Sequence, residues 1–247
     1  MRAVAELNVS KFHDVRRPPG NHTASNVRGF MPVVTPQGIH QLQFESLVER
    51  THWMRLLIQD EINGAATQPV ALTWRIEDMV IQHIPDILLK SNSYNRKLVD
   101  VHQLPFGDAS LVKFLLTSRL AESLGWTYEV WRPMTAQTIM NLNHLHSFRQ
   151  VTTAVSMAAE HLMVSVSWPA SVFRVMHAEH REKKINLGAM YHLLLKQRLS
   201  LDLDMPITVH RQLRDAKSQG PVAAPWLVDL DALLSSRQVQ RRITRSS

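Results

Sequence analysis

The sequence predicts an α/β protein: a mixed sheet flanked by helices, then a smaller, mainly helical domain with a winged-helix-like outline. Three observations predict it. Between Phe44 and Pro133 the hydrophobic pattern changes in the order helix, three strands, helix, strand. A helix crossing between strands of one sheet implies at least one parallel pair. From Val151 onward the strand-forming residues thin out and the chain turns helical and basic. The length of 247 residues, 45% of them hydrophobic, suffices for one large domain or two small ones, each with its own core.

The divisions expected are a loosely ordered arm over 1–26, a first domain over 27–150, a winged-helix-like domain over 151–217, and a linker with a basic tail over 218–247. In the arm, Arg16 and Arg17 stand beside Pro18, Pro19 and Gly20, either touching a phosphate backbone or simply solvated. VRGFMPVV and TPQG suggest an extended segment and a turn. From Phe44 to Ile62 the apolar residues Phe44, Leu47, Val48, Met54, Leu57, Ile58 and Ile62 recur at helical spacing. Asn63-Gly64 reads as the stop of that helix.

In TQPVALTWRI, Pro69 opens a strand, because proline cannot donate to a ladder. The strands IPDILL and KLVDV follow. LPFGD turns into a helix over about Ala109–Leu124, with Asp108 or Ser110 as cap. Its expected apolar face is Val112, Leu115, Leu116, Leu120 and Leu124, and Gly125 ends it. WTYEVWRP is a strand with Trp126, Tyr128 and Val130 on one face.

TAVSMAAEHLM, ASVFRVMHAEHREKK and LGAMYHLLLKQRL read as three helices, and SLDLDMP as an alternating strand. Three helices and a strand suggest a winged helix-turn-helix module. A purely structural or partner-docking helical domain is the alternative. SQGPVAAP is a linker. The tail opens on Trp226, Leu227, Leu230, Leu233 and Leu234 and closes on Arg237, Arg241, Arg242 and Arg245, a pattern for a partner-binding helix with a basic end.

Composition bounds the function. The absence of cysteine excludes a disulfide framework, a zinc-thiolate site and a cysteine nucleophile. No stretch reaches the ~20 apolar residues of a membrane span, and the N-terminal residues lack the apolar run of a signal peptide. No membrane partner is therefore expected. The net charge of +7 favours a polyanionic partner, nucleic acid above all.

The chemistry centres on residues 82–102, QHIPDILLKSNSYNRKLVDVH. Each apolar strand holds one carboxylate, Asp86 in the first and Asp100 in the second. A lone carboxylate in a buried strand is costly unless something binds it. A divalent cation with oxygen ligands would compensate both. The alternative is two ordinary strands whose Asp residues sit at their ends and bond loop backbone. His144 and His146 would share a face on a strand and bind metal there; on a helix they are surface residues.

Pro-Asp followed by acid-x-base is the outline of the PD-(D/E)xK nucleases, with His102 at the position usually held by lysine. Taken in order, FESLVERTHWMRLL, TQPVALTW, HIPDILL, KLVDVHQLP, LGWTYEVW and NHLHSFRQ make residues 27–150 resemble the TnsA-like endonuclease subunits of heteromeric transposases, the actinobacterial type especially. YHLLLKQRLSLDLDMPI resembles a segment of the smaller C-terminal domain of such proteins.

The resemblance implies a restriction-endonuclease-like core and Mg2+-dependent DNA cleavage, with Mn2+ as a substitute. It implies nicking of transposon ends on the strand that a DDE transposase leaves uncut. The implied partners are transposon-end DNA, that transposase and an AAA+ ATPase, in the bacterial cytoplasm and at the nucleoid when DNA is bound. Carried over by position, Glu49 in the S-x-x-E-R pattern, Asp86 and Asp100 are the metal-binding acids, and His102 takes the lysine's place. Histidine serves there as neutral base or charged donor. Lys113 and Lys97 are the other lysines near these motifs. Two further function classes stand beside this one: a non-catalytic DNA-binding or scaffold subunit, and a stand-alone repair or restriction nuclease.

Overall fold

The computed structural model describes residues 27–35, 38–58, 62–76, 79–91, 96–148, 151–178, 183–218 and 226–235. The expected arm over 1–26, most of the linker and the four tail arginines lie outside the described residues. The chain forms two compact units: residues 1–50, 61–133 and 225–247 make the first, and 51–60 with 134–224 the second.

The first unit opens with an antiparallel hairpin, β1 (Gly29–Thr35) and β2 (Gly38–Phe44). Gly29 leaves room for the Phe44 ring: a Cβ there would lie 2.6 Å from Cζ of Phe44 and the ring would have to shift. Helix α1 spans Leu47–Ile58, shorter at both ends than the periodicity predicts. Phe44 is the last residue of β2, and Ile62 opens β3 (Ile62–Thr67). Asn63-Gly64 is not a helix stop; the β3 register shifts between Ile62 and Gly64 as at a β-bulge, a usual place for glycine.

Besides β3, the strand Met79–His83 is not expected from the sequence, while the strand expected in TQPVALTWRI forms but opens at Leu72 and not at Pro69. β4 (Leu72–Ile76) pairs antiparallel with β5 (Met79–His83) as a separate hairpin, with Leu72 and Trp74 buried and Thr73 and Arg75 exposed. β7 (Lys97–Val101) carries Asp100 as expected, whereas β6 (Ile87–Ser91) begins one residue after Asp86, which stands at its entrance and not inside it. Helix α2 (Asp108–Ser123) crosses over to β8 (Thr127–Trp131). The sheet runs β3-β6-β7-β8, antiparallel except for the parallel β7–β8 pair. The expected mixed sheet with a helical crossover is therefore present.

Helix α2 departs from expectation in two details. Gly107 takes the N-cap position and no side chain caps it, so neither Asp108 nor Ser110 has that role. Leu111 and Phe114 pack on Val130, while Val112, Leu116 and Leu120 pack with Leu72 and Trp74. The helix thus buries two sides, and Leu124, expected on its face, is exposed. Gly125, at φ +66°, ends it as predicted.

In the second unit, α3 (Ala136–His146) is a helix, so His144 and His146 do not share a strand face. His144 packs edge-on against Phe148 and Tyr191. Then come α4 (Thr153–Ser165), β9 (Ala170–Ser171), α5 (Val172–Met176), α6 (Lys183–Leu195), β10 (Leu199–Ser200) and β11 (Gln212–Asp215). The one long helix expected over 170–184 does not form as such: Ser171 caps the start of α5 through the Arg174 amide, and α5 ends at Met176 with His177 as its C-cap. The strand expected over SLDLDMP stops after Ser200. Asp202 Oδ1 accepts the Asp204 amide and folds the chain into a turn. β11, not read from the sequence, lies between β10 and β9, antiparallel to both. The core gathers Leu145, Leu162, Val175, Met190, Leu193 and Leu213.

The chain then returns to the first unit. Leu227 bridges to Trp131, Val228 donates to the Val130 carbonyl, and α7 (Leu230–Ser235) follows. Leu230 and Leu233 pack on the Leu111–Phe114–Val130 cluster. The apolar start of the tail, expected to bind a partner, covers the free edge of β8 on its own chain. Among the described residues no helix is long and apolar enough to cross a membrane.

Candidate active site

The register of β6 and β7 decides the geometry. Ile87 pairs with Val99, so one step further along the two strands Asp86 stands across from Asp100. Like charges opposite each other in a strand pair repel. Pro85 precedes Asp86 and withholds a donor, which keeps Asp86 at the mouth of the strand. The Asp86 carbonyl accepts the Gln68 amide at 2.8 Å. Its Oδ2 accepts the Val101 amide at 2.6 Å. Burial raises the Asp86 carboxyl well above its usual range, Asp100 adds to that, and Glu49 and Glu45 add smaller shares against the Val101 hydrogen bond.

Asp100 sits within β7 with only 4% of its side chain exposed. Two donors meet on its Oδ2: His83 Nε2 at 2.8 Å and the Tyr128 hydroxyl. Since a carboxylate only accepts, His83 carries its proton on Nε2 here. Burial, and then the Asp100 charge, push the Tyr128 phenol far above its usual range, so it remains a donor.

Glu49 is held by its own helix terminus. Its Oε1 accepts the Ser46 hydroxyl at 2.9 Å, its Oε2 accepts the Glu45 amide at 2.9 Å, and its own amide donates to Ser46 Oγ at 3.1 Å. This is a variant of the capping box in which Glu49 accepts the Glu45 amide instead of that of the N-cap Ser46, and the Ser-x-x-Glu spacing that marked the residue is also the cap's signature. Burial raises the Glu49 carboxyl, while the Glu45 amide and Ser46 hydroxyl lower it.

His102 faces a different neighbourhood. Its amide continues the ladder to the Trp131 carbonyl at 2.8 Å. Its Nδ1 lies 2.8 Å from the Gln103 carbonyl and its Nε2 3.3 Å from Ser110 Oγ. The ring stands edge-on to Phe106 and Phe114. Lys97 pairs with Glu129, which also accepts the Trp131 indole N–H at 2.7 Å. Lys113 makes no ion pair among the described residues.

The structure thus brings Asp86 and Asp100 together, with Glu49 close enough to be felt at Asp86, and does not join His102 to them by a hydrogen bond. The donor set suits a hard divalent cation: two opposed carboxylates, each with one oxygen anchored, whose repulsion a cation would relieve. Among the described residues no group of three or more His, Asp or Glu side chains is arranged to hold a metal ion. The sequence reading missed His83 and Tyr128. His83 stands three residues before Asp86 in the same polar-apolar stretch, and Tyr128 falls by alternation on the apolar face of its strand. No protein-family model matches the chain, and no curated protein matches it.

Proposed function

We propose that this chain is a metal-dependent DNA endonuclease of the TnsA-like kind, nicking transposon ends beside a DDE transposase and an AAA+ ATPase. The observation that carries the reading is Asp86 across from Asp100 in a mixed sheet whose last pair is parallel. Asp86 and Asp100 would hold Mg2+ or Mn2+, with Glu49 as the third acid. A bound cation would supply a Lewis acid for the scissile phosphate and a more acidic water. Asp86 and Asp100 bind and orient. His102 is the candidate to orient the attacking water or to relieve charge, in the position that the resemblance gives to lysine.

The second unit is read as a winged helix that binds DNA or the partner proteins. The order α4, β9, α5, α6, β10, β11, with β11 central, supports this reading. So does the net charge of +7 over the whole chain.

A second reading has its own support. Both Glu49 oxygens serve the helix cap, and both His102 nitrogens have neighbours away from the acids. These favour a DNA-binding scaffold that kept the fold without the reaction. Nicking of supercoiled and transposon-end DNA with Mg2+ or Mn2+, with and without a cognate transposase, separates the two. Cleavage abolished by Asp86→Ala and by Asp100→Ala is the expected result. Tight DNA binding with no nicking under any of these conditions would establish the scaffold.

A further inference from the structure

We infer that His83 and Tyr128 are positioning residues that fix the Asp100 carboxylate for cation binding. The inference rests on the cleavage reading of the same site and adds two residues which that reading does not contain.

The pattern of donors carries it. Asp100 Oδ2 receives both His83 Nε2, at 2.8 Å, and the Tyr128 hydroxyl. Asp86 Oδ2 receives the Val101 amide at 2.6 Å. Neither Oδ1 has a hydrogen-bond partner among the described residues. A carboxylate has about four lone-pair sites and can take donors on both oxygens. Here each acid is anchored by one oxygen and keeps the other unengaged, and the two acids stand across one strand pair.

The anchors come from separate elements. His83 ends β5, in a hairpin outside the four-stranded sheet. Tyr128 lies on β8, two residues before Val130, the register partner of Asp100. Asp100 is therefore gripped from the neighbouring strand and from a second sheet. Three bonds of restraint on two side chains remove rotamer freedom before any ligand arrives. Hydrogen-bonded carboxylates of this kind hold metals more tightly, and loss of such an outer partner typically costs 10–100-fold in affinity. The Tyr128 donor is uncharged, so it orients Asp100 without neutralising it. Lys97, the nearest strand lysine in sequence, is instead paired with Glu129.

The test is calorimetric titration of the full chain with MgCl2 and with MnCl2 at one pH. The variants are His83→Ala, His83→Gln, Tyr128→Phe and Asp100→Ala, each checked for folding by circular dichroism without metal. His83→Ala and Tyr128→Phe are each expected to weaken binding by about 10-fold or more. His83→Gln, whose amide also donates, is expected to stay close to wild type. In single-turnover nicking, raised Mg2+ should restore the limiting rate of His83→Ala, since the loss lies in metal binding.

Wild-type metal affinity in both His83→Ala and Tyr128→Phe, with Asp100→Ala still abolishing binding, overturns the inference and leaves the cleavage reading in place. His83→Gln as weak as His83→Ala also overturns it, because donation would not be what His83 supplies. Identical titrations of wild type and Asp100→Ala remove the metal site, and the inference falls with the reading. If His83→Ala does not fold, Tyr128→Phe and His83→Gln carry the same comparison.

Discussion

Asp86 reaches across the strand pair: its Oδ2 accepts the amide of Val101, the residue after Asp100, at 2.6 Å. The bond ties the two acids at fixed register and holds two like charges together in a site with few counter-charges. An uncompensated pair of this kind is expected to cost apo-protein stability and to gain from a cation.

Asp86→Ala should therefore leave apo stability nearly unchanged or raised, since the lost hydrogen bond is offset by relief of repulsion. It should also abolish stabilisation by Mg2+. Melting curves with and without MgCl2 measure both effects. Equal Mg2+ stabilisation of wild type and Asp86→Ala would sink the shared site.

The raised Asp86 carboxyl makes a pH prediction of definite sign. Its folded pKa lies above the unfolded value, so the folded state holds the proton longer than the unfolded chain does. The resulting stability is fully present below the unfolded pKa, about 3.9. It is lost as pH rises through the folded pKa, at about 1.4 kcal/mol per unit of separation. Glu49, also raised, acts in the same direction. Apo stability should fall over that window, and Asp86→Asn should flatten the fall. An unchanged slope in Asp86→Asn would assign the effect to other groups.

Glu49 separates its two roles by charge. Glu49→Gln keeps acceptors and donors for the capping box, whereas Glu49→Ala removes it and should cost about 1 kcal/mol. If Glu49 is also the third metal acid, Glu49→Gln should fold normally yet lose Mg2+ affinity and nicking. A Glu49→Gln protein with wild-type nicking would leave Glu49 a cap alone.

His102→Ala should slow nicking by about 10²-fold, at the low end of general acid–base effects, and His102→Lys should retain or increase the rate. Lys113→Ala should nick like wild type. An active His102→Ala beside an inactive Lys113→Ala would transfer the role to the helix. Single-turnover rates at matched Mg2+ decide between them.

The sequence by itself determined the pieces whose signals are local. Alternation and apolar runs gave β6, β7 and β8, and the intervening helix required the parallel β7–β8 pair. Gly125 marked the end of α2, and a lone carboxylate in each of two apolar strands marked Asp86 and Asp100. Tertiary structure decided what depends on partners distant in the chain. Asn63-Gly64 carried a stop signal that the β3–β6 ladder absorbed as a register shift. SLDLDMP alternated like a strand, but Asn141 binds the carbonyls of Leu203 and Met205 at 2.8 and 2.9 Å, which favours the turn. The Ser-x-x-Glu text marked Glu49 only as a metal-binding acid, and the fold shows both its oxygens accepting hydrogen bonds at the start of α1. His83 and Tyr128 had no local signal at all. They meet on Asp100 only because a separate hairpin and a parallel strand carry them there, across 17 and 28 residues of chain.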